Sequence, residues 1–138
     1  MKISAKVQNS EGRHDVILNT NENVHSLTIP PKSTGFGSSV NGGELLFLAL
    51  ATCYCNDIYR EAAKLEIRVE QVDVEVEGEF GTEGEYARNV SYRTKIKAQA
   101  SEPQIRELVS LTDRVAEIHN TLRRETPVVL RGIEIVTV

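Results

Sequence analysis

The sequence predicts a mixed α/β (α+β) fold in a single domain spanning residues 1–138, with elements in the order βββ-α-ββ-α-β. Three observations carry this. Several segments alternate apolar and polar residues with the period of a strand, and two others place apolar residues at helical spacing. A chain of 138 residues that is 40% hydrophobic and 26% charged has the composition of one ordinary globular core.

The elements follow in order. "KISAKVQ", "HDVILNT" and "VHSLTIP" are rich in β-type residues and separated by the turn-prone "NSEG" and "NENV", so they form a small antiparallel meander. "PPKSTGFGSSVNGG" is a fourteen-residue Pro/Gly/Ser-rich connector that reads as a flexible lid leading to a helix. It lacks the G-K-[ST] ending and βαβ setting of a phosphate loop. From Leu45 to Cys55 every residue but Thr52 is apolar, and from Asn56 the pattern turns amphipathic. A helix apolar on all sides is expected to be buried on all sides. A chain this short has little material to surround a helix of roughly 33 Å, which points to cover from a second subunit.

"VDVEVEGEF" and "VSYRTKIKAQA" alternate strictly and are joined by "GTEGEYA", a long hairpin with one solvated face. "SEPQ" opens a second helix: Ser101 is the N-cap, Pro103 sits in the first turn, and Gln104 completes a capping box. Its apolar spacing runs from Ile105 to Leu122 and should stop before Pro127, after which "GIEIVTV" is a final strand.

Charge and motifs narrow the function classes. A net charge of −4 leaves no basic footprint for nucleic acid. The N-terminus alternates rather than running apolar, and the longest apolar run has eleven residues, about half a membrane span. A cytoplasmic protein with no membrane partner is expected, its two thiols reduced. His14, His25, His119 and the C-x-C pair lack the spacing of a zinc site, so no metal or cofactor is expected. Lys32, Arg123, Arg124 and Arg131 read as solvated charges.

The two cysteines, Cys53 and Cys55, stand in the apolar helix. Residues i and i+2 point about 200° apart on a helix, so they cannot form a disulfide without unwinding. Free cysteine in apolar surroundings is ordinarily inert, and Cys53 is too far along the helix to draw on its dipole. Only a basic partner would make it a working thiol.

The element order, together with "NGGELLFLALATC", resembles the OsmC/Ohr family (osmotically induced protein C and the organic hydroperoxide resistance proteins), specifically an OsmC-like member. Asn41, Glu44, Leu45, Leu46, Ala49, Ala51 and Cys53 answer to that family's motif. The resemblance implies an intertwined homodimer with the long helices packed centrally. It also implies a peroxidase chemistry: Cys53 is the nucleophile, Arg13 in "EGRHD" stabilises its thiolate, and Glu44 orients that Arg. The chain departs from the pattern in two places. The family's catalytic Glu falls one residue earlier, at Gly43, and its resolving cysteine is replaced by Asn120 or, with a one-residue shift, His119.

The expected function is thiol-dependent reduction of small organic hydroperoxides by Cys53, Arg13 and Glu44, with an external thiol reducing the sulfenic acid. The alternative is a non-catalytic OsmC-like dimer that binds an apolar ligand or acts structurally, with Cys53 only packing.

Overall fold

The structure, a computed structural model, describes all 138 residues and divides into two units, residues 1–46 and 47–138. In the first unit, β1 (Ile3–Ser10), β2 (Arg13–Thr20) and β3 (Asn23–Ser26) form an antiparallel sheet in sequence order. Val7 faces Val16 across the first pair, and Leu18 faces His25 across the second. The β2–β3 turn places both central residues, Asn21 and Glu22, at positive φ (48° and 70°). That is the handedness a two-residue hairpin requires, and asparagine tolerates it well. Asn21 also closes the sheet edge: its Oδ1 accepts from the Lys2 amide at 2.8 Å, and its own amide donates to the Lys2 carbonyl at 2.9 Å.

The connector expected as a lid is hydrogen-bonded within itself and to β1. The Ser39 amide donates to the Pro30 carbonyl at 2.9 Å, the Lys32 amide to Gly37 at 3.1 Å, and the Gly37 amide to Asn9 Oδ1 at 2.9 Å.

Helix α1 runs Gly42–Lys64, 23 residues. It opens on a reciprocal cap: the Glu44 amide donates to Asn41 Oδ1 at 2.8 Å, and the Asn41 amide donates to Glu44 Oε1 at 3.1 Å. It ends on two bonds that satisfy the last open carbonyls, Ile67 amide to Ala62 and Glu66 amide to Ala63, with Glu66 at φ 56°.

In the second unit, β4 (Arg68–Glu79) and β5 (Arg88–Gln99) form the expected hairpin. Val72 pairs with Ile96, and Val76 with Tyr92. Gly78 stands where the register shifts, and a Cβ there would lie 2.8 Å from Phe47 Cζ. The Phe47 ring therefore needs a glycine beneath it, and it stacks on Phe80 at 5.9 Å. The core consists of Tyr54, Ile58 and Ala62 of α1 with Leu108 and Ala116, packed against Val69, Val72, Val74, Tyr92 and Ile96 of the hairpin.

Two expectations are corrected. The second helix is two helices, α2 (Glu102–Val115) and α3 (Glu117–Leu122), broken at Ala116 (φ −66°, ψ 107°). No Pro or Gly marks the break. It is stabilised from downstream: Asn120 Nδ2 donates to the Arg114 carbonyl at 2.9 Å, and Ala116 is itself fully buried. The cap at Ser101 forms as read, with the Ser101 amide donating to Gln104 Oε1 at 2.9 Å.

The final strand is absent. Residues 125–138 carry no regular structure, and Ile133 and Val136 are 76% and 83% exposed. The alternation is present, but a strand exists only when another strand satisfies its backbone, and no strand of this chain pairs with it.

Within the single chain, Leu45–Cys55 is covered only in part. Leu50 and Tyr54 are buried there, but Leu48 is 56% exposed. The helix is instead deepest where it is amphipathic, at Asp57, Ile58, Glu61 and Ala62.

Candidate functional site

Helical spacing puts Cys53, Asp57, Arg60 and Glu61 along one stripe of α1. The half-buried Cys53 thiol donates to Asp57 Oδ2 at 3.5 Å, and Glu117 Oε2, from the first turn of α3, lies 4.0 Å from the sulfur. Arg60 holds these carboxylates in place. Its Nη1 donates to Glu117 Oε1 at 3.1 Å and forms an ion pair with Asp57 Oδ1 at 3.0 Å, while its Nε donates to Glu61 Oε1 at 2.9 Å. Lys64 Nζ closes the group on Glu61.

The electrostatics follow from this placement. Burial pushes the Cys53 thiol up, and the Asp57 and Glu117 carboxylates push it further, against a lowering hydrogen bond at the Ile118 backbone. Asp57 is also raised, first by burial and then by its carboxyl contact with Glu117. Glu117 is lowered, first by its own backbone amide and then by sharing Asp57's proton and the Arg60 charge. The two carboxyls thus act as a pair in which Asp57 holds a proton more readily than Glu117.

Cys53, Asp57 and Glu117 could each offer a ligand atom, all within 4.8 Å of one another. The Arg60 guanidinium bridges the same two carboxylates and supplies the positive charge that a metal would bring.

Beside this group, His119 stands edge-on to Tyr92 at 4.6 Å and tilted to Tyr54 at 5.7 Å. Both of its ring nitrogens are buried without a hydrogen-bond partner. Burial lowers its affinity for a proton, and Arg123 lowers it further. Tyr92 donates to Asp113, and Arg123 Nη2 pairs with Asp113 at 2.7 Å, so Arg123 is an exposed charge, as expected, that is also ion-paired. The Tyr54 phenol, buried in the same cluster, is pushed up to about 12, and its hydroxyl donates to the Val109 carbonyl at 3.2 Å.

The structure places the expected site residues as follows. Cys53 and Cys55 are both free thiols, half-buried on α1. Arg13 opens β2 in the first unit, exposed, its Nε 2.6 Å from Asp15 Oδ2. Glu44 is engaged with Asn41 at the start of α1. His119 and Asn120 lie on α3, the first buried among aromatics and the second capping Arg114. The sequence reading missed Asp57, Arg60 and Glu117 as neighbours of Cys53. The i, i+4 relation of Cys53 and Asp57 was available as a signal, whereas the approach of Glu117, 64 positions away, depends on the break at Ala116.

The family profile described as "OsmC-like protein" matches residues 35–131. No curated protein matches the chain significantly. Among solved structures, the chain is similar to an OsmC-like protein from Mycoplasma pneumoniae (20% identity, TM-score 0.61, covering 87% of each chain). It is also similar to an organic hydroperoxide resistance protein OsmC from Legionella pneumophila (19% identity, TM-score 0.57, covering 89% of this chain and 90% of that one). An OsmC-like hydroperoxide resistance protein from Jannaschia matches at 16% identity and TM-score 0.56, covering 91% of this chain and 86% of that one. With seven-tenths of its length inside the family profile and the fold shared across both units, the chain belongs to the OsmC-like family.

Proposed function

We propose that the protein is a cytoplasmic, homodimeric thiol peroxidase, a single OsmC-like domain over residues 1–138, that reduces organic hydroperoxides with Cys53 as its nucleophile. The observation that carries this reading is the Cys53 thiol itself: half-buried, not in a disulfide, and hydrogen-bonded to a carboxylate that can take its proton. Family membership supports it, as do structural neighbours described as hydroperoxide resistance proteins. No helix is long and apolar enough to cross a membrane.

In this reading the sulfur attacks one peroxide oxygen, the O–O bond breaks, and Cys53 becomes a sulfenic acid as the alcohol leaves. In this reading Arg13, paired with Asp15 in the structure, supplies the cation that favours the thiolate, and Glu44, engaged with Asn41, orients it. Without a resolving cysteine, one external thiol condenses with the sulfenic acid, releasing water, and a second regenerates Cys53 by exchange.

Two measurements test the proposal. Peroxide consumption should exceed that of a free thiol at the same pH and leave Cys53 as sulfenic acid or a mixed disulfide; a rate equal to free thiol rejects the activity. The exposed Leu48 and residues 128–138 support the dimer, which predicts no stable folded monomer. A folded 15.3 kDa species in sedimentation at micromolar concentration would count against it.

One observation favours the second reading, a non-catalytic dimer that binds an apolar ligand or acts structurally. The thiol is pushed up rather than down by its surroundings. Alkylation of Cys53 in the folded protein that stays slower than a free thiol up to pH about 8.5, with no peroxide turnover, selects it.

A further inference from the structure

Thiol reduction of a hydroperoxide makes two proton demands. The sulfur must lose a proton to attack, and the departing alkoxide must gain one, because an alkoxide is a poor leaving group. A single group within reach of the sulfur can meet both. Asp57 is placed for that. It stands one helical turn beyond Cys53 on the same rigid element, its side chain only 7% exposed, with Oδ2 at 3.5 Å from the sulfur. Its other oxygen is fixed by Arg60 at 3.0 Å, and Arg60 in turn fixes Glu117 at 3.1 Å. Glu117 Oε2 approaches the same sulfur at 4.0 Å, so the thiol faces a clamped carboxyl pair and not one mobile surface acid.

We infer that Asp57 is the acid–base residue of the Cys53 reaction, with Glu117 and Arg60 as positioning residues, an inference that rests on the peroxidase reading of Cys53. In the step, the S–H bond breaks as the proton passes to Asp57, the S–O bond forms, and the O–O bond breaks. Sulfur loses two electrons and the peroxide gains them. The proton then moves from Asp57 to the departing oxygen, giving the alcohol and returning Asp57 to its starting state. Nothing outside the thiol and the hydroperoxide is consumed. A carboxyl whose hold on a proton is strengthened by burial and by a neighbouring carboxylate suits a carrier that must both accept and release.

The test compares tert-butyl hydroperoxide, whose alkoxide leaves poorly, with peracetic acid, whose carboxylate leaves unaided, in single turnovers of the full chain. Asp57→Asn should slow both, because the base is lost, but the first by about a hundredfold and the second by about tenfold at most, since only the first also needs the general acid. Equal slowing with both oxidants, or none with either, overturns the role.

The wild-type chain provides a measurement that needs no variant. Its rate should depend only weakly on leaving-group acidity across a series of hydroperoxides, and a dependence as steep as that of a small free thiol overturns the inference. A wild type no faster than free thiol with any oxidant removes the peroxidase reading itself. A fast wild type whose Asp57→Asn variant ignores the leaving group removes only the role of Asp57.

Discussion

The two halves of α1 invert the usual relation between apolarity and burial. Leu45–Cys55 has one polar residue, yet within the chain it buries only Leu50 and Tyr54. Asp57–Lys64 carries four charges and buries Asp57, Ile58, Glu61 and Ala62. The difference lies in what each half meets. The second half packs against the β4–β5 hairpin and the Leu108–Ala116 segment, and its charges are neutralised in place by Arg60 and Lys64. A charged helical stripe can lie inside a core when its partners come from the same helix, and an apolar stripe can remain bare when the chain has nothing left to cover it.

The largest expected effect sharpens that contrast. Ile58→Ala should destabilise the fold by about 2–5 kcal/mol, as for other fully buried aliphatic truncations. Leu48→Ser should change the unfolding free energy of a single chain by less than about 0.5 kcal/mol while weakening any dimer. Urea unfolding over a range of protein concentrations separates the two. A large, concentration-independent loss at Leu48 would break the comparison.

Next in size is the activity of the first unit's Arg13. Arg13→Ala should slow peroxide reduction by roughly a hundredfold, the scale of one lost preorganised donor, with stability nearly unchanged because the side chain is exposed. An unchanged rate would leave the reaction to the Asp57, Arg60 and Glu117 group of the second unit alone.

A smaller loss is expected at the start of that unit. Gly78→Ala drives a methyl group into the Phe47 ring and should cost about 1–3 kcal/mol, seen as a lower urea midpoint. A neutral outcome would mean that the Phe47 end of the helix shifts freely, unlike the Ile58 end.

The smallest effect is a pH dependence. His119 binds a proton less readily folded than unfolded, whose value is 6.5. Above that pH neither state is protonated and the residue contributes nothing. As pH falls past it the unfolded chain takes the proton first, so stability declines until the lower folded value is reached. Melting temperature should therefore drop as pH falls below about 6.5, and His119→Phe should remove that part of the slope.

Much of the fold was legible because it is local. Period-two alternation set the β4–β5 hairpin with its core face at Val72, Val74, Tyr92 and Ile96, and Ser101 and Gln104 set the start of α2. What escaped was non-local. Nothing near Ala116 announces a break that is held by Asn120, and "GIEIVTV" has the pattern of a strand without an edge to join. The site divides in the same way. Cys53 was found from its motif, and Asp57 could have been found from helix spacing. Glu117 required the tertiary fold.

The aromatic cluster has a further consequence. The chain contains no tryptophan and four tyrosines, so tyrosine emission is its only strong intrinsic fluorescence. Tyr54 and Tyr92 lie ring to ring at 4.8 Å beside His119, and the Tyr92 phenol is bonded to a carboxylate, an arrangement that quenches excited phenol. Exposed Tyr59 and Tyr86 supply a steady background. Opening of the core should therefore brighten the protein, which carries in Tyr92 an optical reporter of the same packing that sets Glu117 beside Cys53.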